Sequence, residues 1–345
     1  MSKPPPAIET LKDDVKTSWQ RFLDLVEALR PELYRYCRYL TRNAWDAEDL
    51  VQESLMRAFV TLGTVFSDVP RPRAWLFRTA SNLWIDRVRR SRLELAAAAP
   101  PALEPGQEPR APREAAGTLL VQLPPQERAA VVLKDVFDFS LEEVADTLST
   151  TVGAVKAALH RGRGRLTAPL AEAPAREPAP GVLDAFCDAF NARDMERLTA
   201  LLLDSATVEI VGVVTEYGPE APKDPRTGSF AGTMSPITYD ERGGVPAELL
   251  EGYLGSIPRC EVRRHRDSWV LLFWYEHVQG PRVRTVMTVE TDGDRIARVR
   301  NYFFTPDVIA EICAELGVPF QVNGYRYWPG AAPPPTPSTR EGDGA

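Results

Sequence analysis

Long hydrophobic runs are absent from this sequence of 345 residues. The longest strongly apolar run, Trp269 to Tyr275, is far shorter than the ~20 residues that cross a bilayer. The opening stretch, MSKPPPAIET, has no apolar signal-peptide core. We therefore expect a cytoplasmic protein without a membrane partner.

Cysteine is also scarce. The four cysteines are far apart and form no Cys-x-x-Cys pair, which excludes a disulfide framework and gives no zinc-binding pattern. We expect reduced, mostly buried thiols and neither a metal site nor a cofactor. These cysteines are Cys37, Cys187, Cys260 and Cys313.

The net charge of −7 does not by itself favour a nucleic-acid partner. Binding depends on where the basic residues lie, however, and arginine is concentrated in two segments of this chain. The hydrophobic and charged fractions, 44% and 26%, are ordinary for a globular protein. The composition thus permits nucleic-acid binding through local basic surfaces.

Segments rich in proline and alanine divide the chain into domains, because such segments cannot build a core. We predict linkers at 95–117 and 169–180 and a disordered tail at 329–345. The predicted domains are 8–94, 118–168 and 181–328.

The first domain is predicted to be all-α, because four segments carry apolar stripes at helical spacing. They are Ile8–Leu29, Pro31–Leu40, Trp45–Leu62 and Pro72–Arg92. The third helix should present an acidic attachment face, although the helix dipole alone also favours acids in its first turn. The side chains of this face are Asp46, Glu48, Asp49, Gln52 and Glu53.

The fourth helix is rich in arginine and also carries an aromatic and an amide side chain. Arginines can follow a nucleic-acid backbone, an aromatic ring can stack on a base, and an amide can read a base edge. Packing of Trp75 against a neighbouring helix is the alternative for that residue. The candidate contacts are Trp75, Arg78, Thr79, Asn82, Arg87, Arg89 and Arg90.

The segment from Phe139 to Leu166 predicts a helix-turn-helix. Two apolar stripes flank the Ser149-Thr150-Thr151 break, and the second segment has a basic face suited to DNA. An ordinary helical hairpin with a solvated basic face is the alternative. The candidate contacts in this segment are Thr151, Lys156, His160, Arg161 and Arg163.

Together these segments resemble the bacterial sigma factors of the extracytoplasmic-function (ECF) class. The resemblance rests on the runs from Asp46 to Glu53, Trp75 to Asn82, Leu123 to Arg128 and Val155 to Arg161, in the family's order. It implies that the acidic helix binds core RNA polymerase at the β′ clamp helices and that the second helical domain meets the β flap. It also implies that the fourth helix opens and reads the minus-ten promoter element.

The helix-turn-helix would then read the minus-thirty-five element, and the linker would span the distance between the two elements. Ala157 and Ala158 depart from the polar residues often found at these positions in the family. The promoter bases that the helix contacts therefore do not follow from the resemblance.

The second half of the chain is predicted to be an α+β domain, because helical segments precede β-branched runs. We expect strands at 207–215, 269–278, 283–290 and 296–304 and an inserted flap at 217–244. The run from Phe186 to Asp194 resembles the SnoaL-like, ketosteroid-isomerase-like cone. That resemblance implies a pocket, which could take a small-molecule ligand.

Candidate pocket residues are Tyr253, His265, Trp269, Tyr275 and His277. Asp188 is a further candidate base, but no residue here matches a catalytic pattern, so we expect no enzymatic activity. The main prediction is a sigma factor whose C-terminal domain modulates its activity. The alternatives are a stand-alone helix-turn-helix transcription factor and a cyclase or isomerase with a DNA-binding arm.

Overall fold

The computed structural model describes residues 8–63, 71–98, 123–165, 181–225, 228–235 and 251–325. The chain divides into two compact units, Met1–Ala175 and Arg176–Ala345. In the described residues no helix is long and apolar enough to cross a membrane.

The first unit is all-α, as the sequence predicts. Its helices are α1 (Ile8–Val26), α2 (Arg30–Thr41), α3 (Ala44–Leu62), α4 (Pro72–Ala98), α5 (Pro125–Asp135), α6 (Leu141–Thr147) and α7 (Val152–Arg165). A short 3-10 turn, Glu27–Leu29, joins α1 to α2. Because α4 continues to Ala98, the predicted linker at 95–117 begins too early, and its remainder lies outside the described residues.

Local side-chain caps fix where these helices begin and end. Arg42 ends α2 in the left-handed conformation, with φ of 67°, and the Asn43 side chain accepts a hydrogen bond from the Trp45 N–H at 2.8 Å. Ser140 and Glu143 form a reciprocal capping box at the start of α6. Thr151 Oγ1 accepts from the Ala154 N–H at 3.2 Å at the start of α7.

An aromatic cluster joins the first four helices to the helix-turn-helix. Tyr36 of α2 stacks on Phe77 of α4 with ring centroids 4.7 Å apart. Phe137 and Phe139, from the turn between α5 and α6, lie 5.4 and 5.5 Å from the Phe77 ring. The Tyr36 hydroxyl and Ser81 Oγ are 2.7 Å apart, and burial raises the Tyr36 pKa. The two helical regions of this unit therefore share one core.

Helices α5 and α7 approach each other closely at Gly162. A Cβ added at this glycine would lie 2.8 Å from Cγ2 of Val131, whereas one added at Gly153 would come no nearer than 3.9 Å to another residue. The packing of α7 against α5 thus depends on a glycine in the third turn of α7.

The second unit contains a mixed six-stranded sheet with the order β2-β1-β6-β5-β4-β3. The strands are β1 (Leu202–Ile210), β2 (Val214–Tyr217), β3 (Arg259–His265), β4 (Ser268–Tyr275), β5 (Arg282–Asp292) and β6 (Arg295–Asn301). β1 and β6 are parallel, and every other described neighbouring pair is antiparallel. Its helices are α8 (Gly181–Asn191), α9 (Met195–Ala200), α10 (Ser229–Thr233) and α11 (Pro306–Leu316).

The core of this unit lies between α8 and one face of the sheet. Phe186 and Phe190 of α8 are fully buried, and the Phe190 ring meets Phe273 of β4 edge to face at 4.9 Å. At the end of β3, His265 and the following residue, Arg266, both contact Glu315 of α11, with His265 Nε2 2.7 Å from Glu315 Oε2. Arg266 and His265 lower the pKa of Glu315 against the effect of burial. These contacts tie α11 to the end of an edge strand.

The predicted α+β class is correct, but several boundaries differ. The sequence pattern did not indicate β3, which contains only two apolar residues, Cys260 and Val262, among charged ones and a histidine. It also placed the start of the first strand five residues late. The expected flap contains a 3-10 turn at Ala221–Lys223 and α10, while its part at 236–244 is outside the described residues. The 169–180 linker and the 329–345 tail also lie outside them.

The Gly162 contact predicts opposite effects of two alanine substitutions in α7. Gly162→Ala forces a methyl group against the stiff Val131 side chain, a cost of about 1–3 kcal/mol, which exceeds the gain in helix propensity of up to about 1 kcal/mol. Gly153→Ala obtains that gain without the contact. Urea unfolding followed by circular dichroism should show Gly162→Ala as the less stable variant. A Gly162→Ala protein as stable as Gly153→Ala would contradict this packing.

Candidate functional site

The acidic face of α3 is built on a buried ion pair. Glu48 is fully buried, and its carboxylate accepts from Arg30 of α2 and from Gln52 Nε2 at 2.6 Å. This differs from the expectation that Glu48 lies on the exposed face. The reason is that α3 turns this residue toward α2, where Arg30 compensates its charge.

The remaining members of this face are partly exposed. Asp46, Asp49, Gln52 and Glu53 lie on the side of α3 opposite the buried stripe formed by Leu50, Val51 and Leu55. Glu53 accepts from Arg87 of α4 at 2.7 Å, with both side chains substantially exposed. The acidic face therefore borders the arginine-rich helix directly.

Helix α4 separates its predicted contacts into different environments. Asn82 is exposed, whereas Trp75 and Thr79 are half-buried, and Thr79 Oγ1 donates to the Trp75 carbonyl at 2.9 Å. Arg89 and Arg90 are exposed at the far end of the described side chains, with Arg89 3.6 Å from Asp86. The predicted apolar stripe, including Leu76, Phe77 and Ala80, is buried. A nucleic-acid strand could therefore reach Asn82, Arg89 and Arg90.

The basic candidate residues of α7 fall into two groups, since two of the exposed side chains pair with an acid of α5. Lys156 and His160 are exposed. Arg161 donates to Glu127 of α5 at 2.8 Å; its side chain is 54% exposed and that of Glu127 only 7%. Arg163 likewise pairs with Asp135 of α5. Lys156 and His160 lie about one helical turn apart on one exposed face, and Thr151 is exposed at the start of α7. The ion pairs of Arg161 and Arg163 fix α7 on α5.

The two regions of the first unit also meet through polar contacts. Arg78 of α4 donates to both the side chain and the carbonyl of Asp146 on α6. Arg128 of α5 donates to the Leu40 carbonyl and lies over the Trp84 ring, 5.2 Å from its centroid. Burial lowers the pKa of Arg128 to about 10. In this arrangement one predicted minus-ten contact, Arg78, is occupied by the helix-turn-helix.

In the second unit, three of the five candidate pocket residues lie together. The Tyr253 and Tyr275 rings are 5.8 Å apart, and His277 pairs with Tyr253 across an isolated β-bridge. His277 Nδ1 accepts from the Gln279 N–H at 3.0 Å, and its Nε2 is 3.1 Å from the Glu251 carbonyl oxygen. Both ring nitrogens of His277 are therefore engaged by the backbone.

The other two candidates lie at the opposite end of β4. His265 is bound to Glu315 beside the β3–β4 turn, and Trp269 has the Arg264 guanidinium 5.3 Å from its ring centroid. Asp188 is exposed on α8. The fold thus separates these residues from the tyrosine cluster.

Arg284 of β5, which is only 1% exposed, also belongs to this tyrosine cluster, although the sequence pattern did not indicate it as a pocket residue. Its guanidinium carbon lies 5.4 Å from the Tyr253 ring and 5.9 Å from the Tyr275 ring, and its Nε donates to Asn323 Oδ1 at 3.0 Å. Burial lowers its pKa, while the two tyrosines oppose that effect. The sequence feature that could have indicated a buried arginine is its position between Val283 and the pair Val286 and Met287 in a predicted strand.

Comparisons with known proteins match the first unit to two family models. Residues 25–94 match Sigma-70 region 2, and residues 113–166 match Sigma-70, region 4. The ECF RNA polymerase sigma factor SigW of Bacillus subtilis (strain 168) is 30% identical over 174 residues, which are 45% of this chain and 92% of that protein. The chain belongs to the ECF sigma factors. It directs promoter-specific transcription initiation, and its partners are core RNA polymerase and promoter DNA.

Similarity to another sigma factor extends into the second unit. The ECF RNA polymerase sigma factor SigJ of Mycobacterium tuberculosis (strain ATCC 25618 / H37Rv) is 29% identical over 289 residues, which are 72% of this sigma factor and 89% of that protein. The crystal structure of Mycobacterium tuberculosis SigJ covers 83% of this chain and 97% of its own at 20% identity, with a TM-score of 0.30. The sequence alignment with SigJ covers more of the chain than regions 2 and 4 alone.

Proposed function

We propose that the acidic face of α3, formed by Asp46, Asp49, Gln52 and Glu53, docks on the β′ clamp helices, and that region 4 docks on the β flap. The observation that carries the first assignment is that these side chains lie partly exposed on one face of a helix whose other face is buried. Glu48 acts from beneath this face, because its contact with Gln52 positions that amide. Complementary charge would then guide α3 to a basic surface.

Charge reversal on this face tests the docking. Asp49→Arg with Glu53→Arg should weaken binding to core polymerase at least tenfold, because reversed charges repel a complementary surface. Folding should be little affected, since exposed ion pairs such as Glu53 with Arg87 contribute only about 0–1 kcal/mol. The affinity for core polymerase can be measured by fluorescence anisotropy of the labelled full chain.

A matched control is available on α8, where Asp184 and Asp188 are exposed at the same four-residue spacing. Asp184→Arg with Asp188→Arg produces the same change in net charge on a different surface. It should leave the affinity for core polymerase unchanged. Equal losses in both double variants would show a general charge effect and refute the docking assignment.

Promoter recognition divides between α4 and α7. Exposed Asn82, Arg89 and Arg90 on α4 suit an opened strand, since an amide can bind a base edge and arginines can bind phosphates. Exposed Lys156 and His160 on α7 suit the major groove of a duplex. Arg161 and Arg163, paired with acids of α5, contribute mainly by fixing the orientation of α7.

Reading both elements requires the two regions to separate. Elements centred near positions −10 and −35 are about 25 base pairs apart, roughly 85 Å along B-DNA. In the compact unit, Arg78 of α4 contacts Asp146 of α6. The chain between Ala98 and Pro125, fully extended at up to about 3.5 Å per residue, could span roughly 90 Å. We therefore assign the compact arrangement to the protein before it engages both elements.

Two alanine substitutions should separate the two reading steps. Lys156→Ala should weaken duplex promoter binding and reduce its salt dependence, as expected for loss of one phosphate contact. Asn82→Ala should leave duplex binding intact and reduce strand opening. Footprinting reports the first step and permanganate reactivity the second, both with the reconstituted holoenzyme. Identical defects in the two variants would contradict the division.

The second unit is proposed to modulate the sigma factor and not to catalyse a reaction. Catalysis in such a fold needs a base beside an acid inside the pocket. Here His277 is held by backbone groups, His265 is bound to Glu315, and Asp188 is exposed. A small-molecule ligand of this unit stays a prediction, with the cluster of Tyr253, Tyr275 and Arg284 as its candidate site.

Run-off transcription tests the proposed function and the modulatory role together. Core polymerase with the full chain should initiate at a cognate promoter, and truncation after Ala168 should change that activity several-fold. Affinity for core polymerase should persist in the truncated protein, because α3 is untouched. Equal activity of both proteins across promoters and salt concentrations would defeat the modulatory role, whereas absence of initiation by either would defeat the assigned promoter reading.

A further inference from the structure

Two buried cysteines meet inside the second unit, although they are far apart in sequence. Cys187 lies on α8 and Cys260 on β3, and their Sγ atoms are 3.0 Å apart. This distance is about 1 Å longer than a disulfide bond. Cys37 and Cys313 are buried on other elements, and no other sulfur–sulfur contact occurs in the described part of the chain. The pair therefore needs little movement to form a covalent bond.

A second contact fixes these two sulfurs in place. Asn191 lies one helical turn after Cys187 on the same face of α8. Its Nδ2 donates to the Cys260 carbonyl at 2.9 Å, and its Oδ1 accepts from the Cys260 N–H at 2.8 Å. This two-way contact holds the backbone at Cys260 against α8, so the short distance between the thiols is imposed by the fold.

We propose that Cys187 and Cys260 form a reversible disulfide when the protein meets a peroxide. Cys187, at 7% exposure, is more accessible than Cys260 at 2% and reacts first. The Cys187 thiol loses its proton, and the thiolate attacks one peroxide oxygen and breaks the O–O bond; the departing oxygen takes up a proton, which gives a sulfenic acid and one water or alcohol. The Cys260 thiol then attacks the Cys187 sulfur, and the sulfenic oxygen leaves as water. Both sulfurs are oxidised, and the peroxide accepts the two electrons.

Burial slows the second step of this reaction. Burial raises the pKa of Cys260 well above its usual value, and the neighbouring Cys187 raises it further. Because the thiolate is the form that attacks, the cross-link between Cys260 and the oxidised Cys187 should form slowly. The bond would join α8, the first helix after the second predicted linker, to β3 at the edge of the sheet.

Peptide mapping of the full chain tests the proposal. After hydrogen peroxide treatment of the folded protein and alkylation of remaining thiols, mass spectrometry should find a Cys187–Cys260 cross-linked peptide that dithiothreitol removes. Cys37 and Cys313 should be alkylated. The thermal midpoint of the oxidised protein should exceed that of the reduced protein by roughly 5–10 °C, because the bond restricts the unfolded chain.

Alanine variants supply the controls. Cys260→Ala should accumulate sulfenic or sulfinic acid at Cys187, Cys187→Ala should form no cross-link, and Cys37→Ala should form the same cross-link as the natural sequence. Absence of the cross-link in the natural sequence, at peroxide levels that oxidise Cys187 in the Cys260→Ala variant, would overturn the proposal. Cross-links formed equally with Cys37 or Cys313 would overturn it too, since they would indicate unfolding before oxidation.

Discussion

The insertion of Phe137 and Phe139 beside Phe77 is the contact on which the first unit depends. These two rings come from the turn between α5 and α6, so the helix-turn-helix obtains part of its core from α2 and α4. Removal of large aromatic side chains from a packed core typically costs about 3–5 kcal/mol. The position of the helix-turn-helix relative to the arginine-rich helix α4 within this unit follows from that shared core.

Electrostatics in this sigma factor is organised by location and not by total charge. Buried carboxylates orient basic residues, as Glu48 does with Arg30 and Glu127 does with Arg161. Exposed acids and exposed arginines occupy separate faces of α3 and α4 that meet where Glu53 contacts Arg87. A net charge of −7 is therefore compatible with DNA binding, because salt screens distant charges. The electrostatic potential at each surface then depends mainly on the charged residues close to it.

In the second unit, a buried arginine is held by an asparagine and two tyrosine rings. Arg284 is buried beneath two tyrosine rings and bound to Asn323, and the same asparagine donates to the Arg284 and Phe303 carbonyls at 2.7 and 3.1 Å. At Gly252, with φ of 75°, an added Cβ would lie 2.2 Å from His277 Nε2, so the chain beside this cluster requires glycine. These contacts fix the interior around Arg284 and the two tyrosine rings.

The local sequence by itself determined the helices of the first unit and the family of the protein. Apolar spacing predicted α1 to α4 and the helix-turn-helix within a few residues, and the order of motifs predicted the sigma-factor family, because both depend on local sequence. Tertiary structure decided the rest. The packing of elements against one another decides that Glu48 is buried and that Arg161 pairs with Glu127. It also places His265 apart from Tyr275 and brings Cys187 against Cys260. Such contacts join residues distant in sequence, and no local pattern records them.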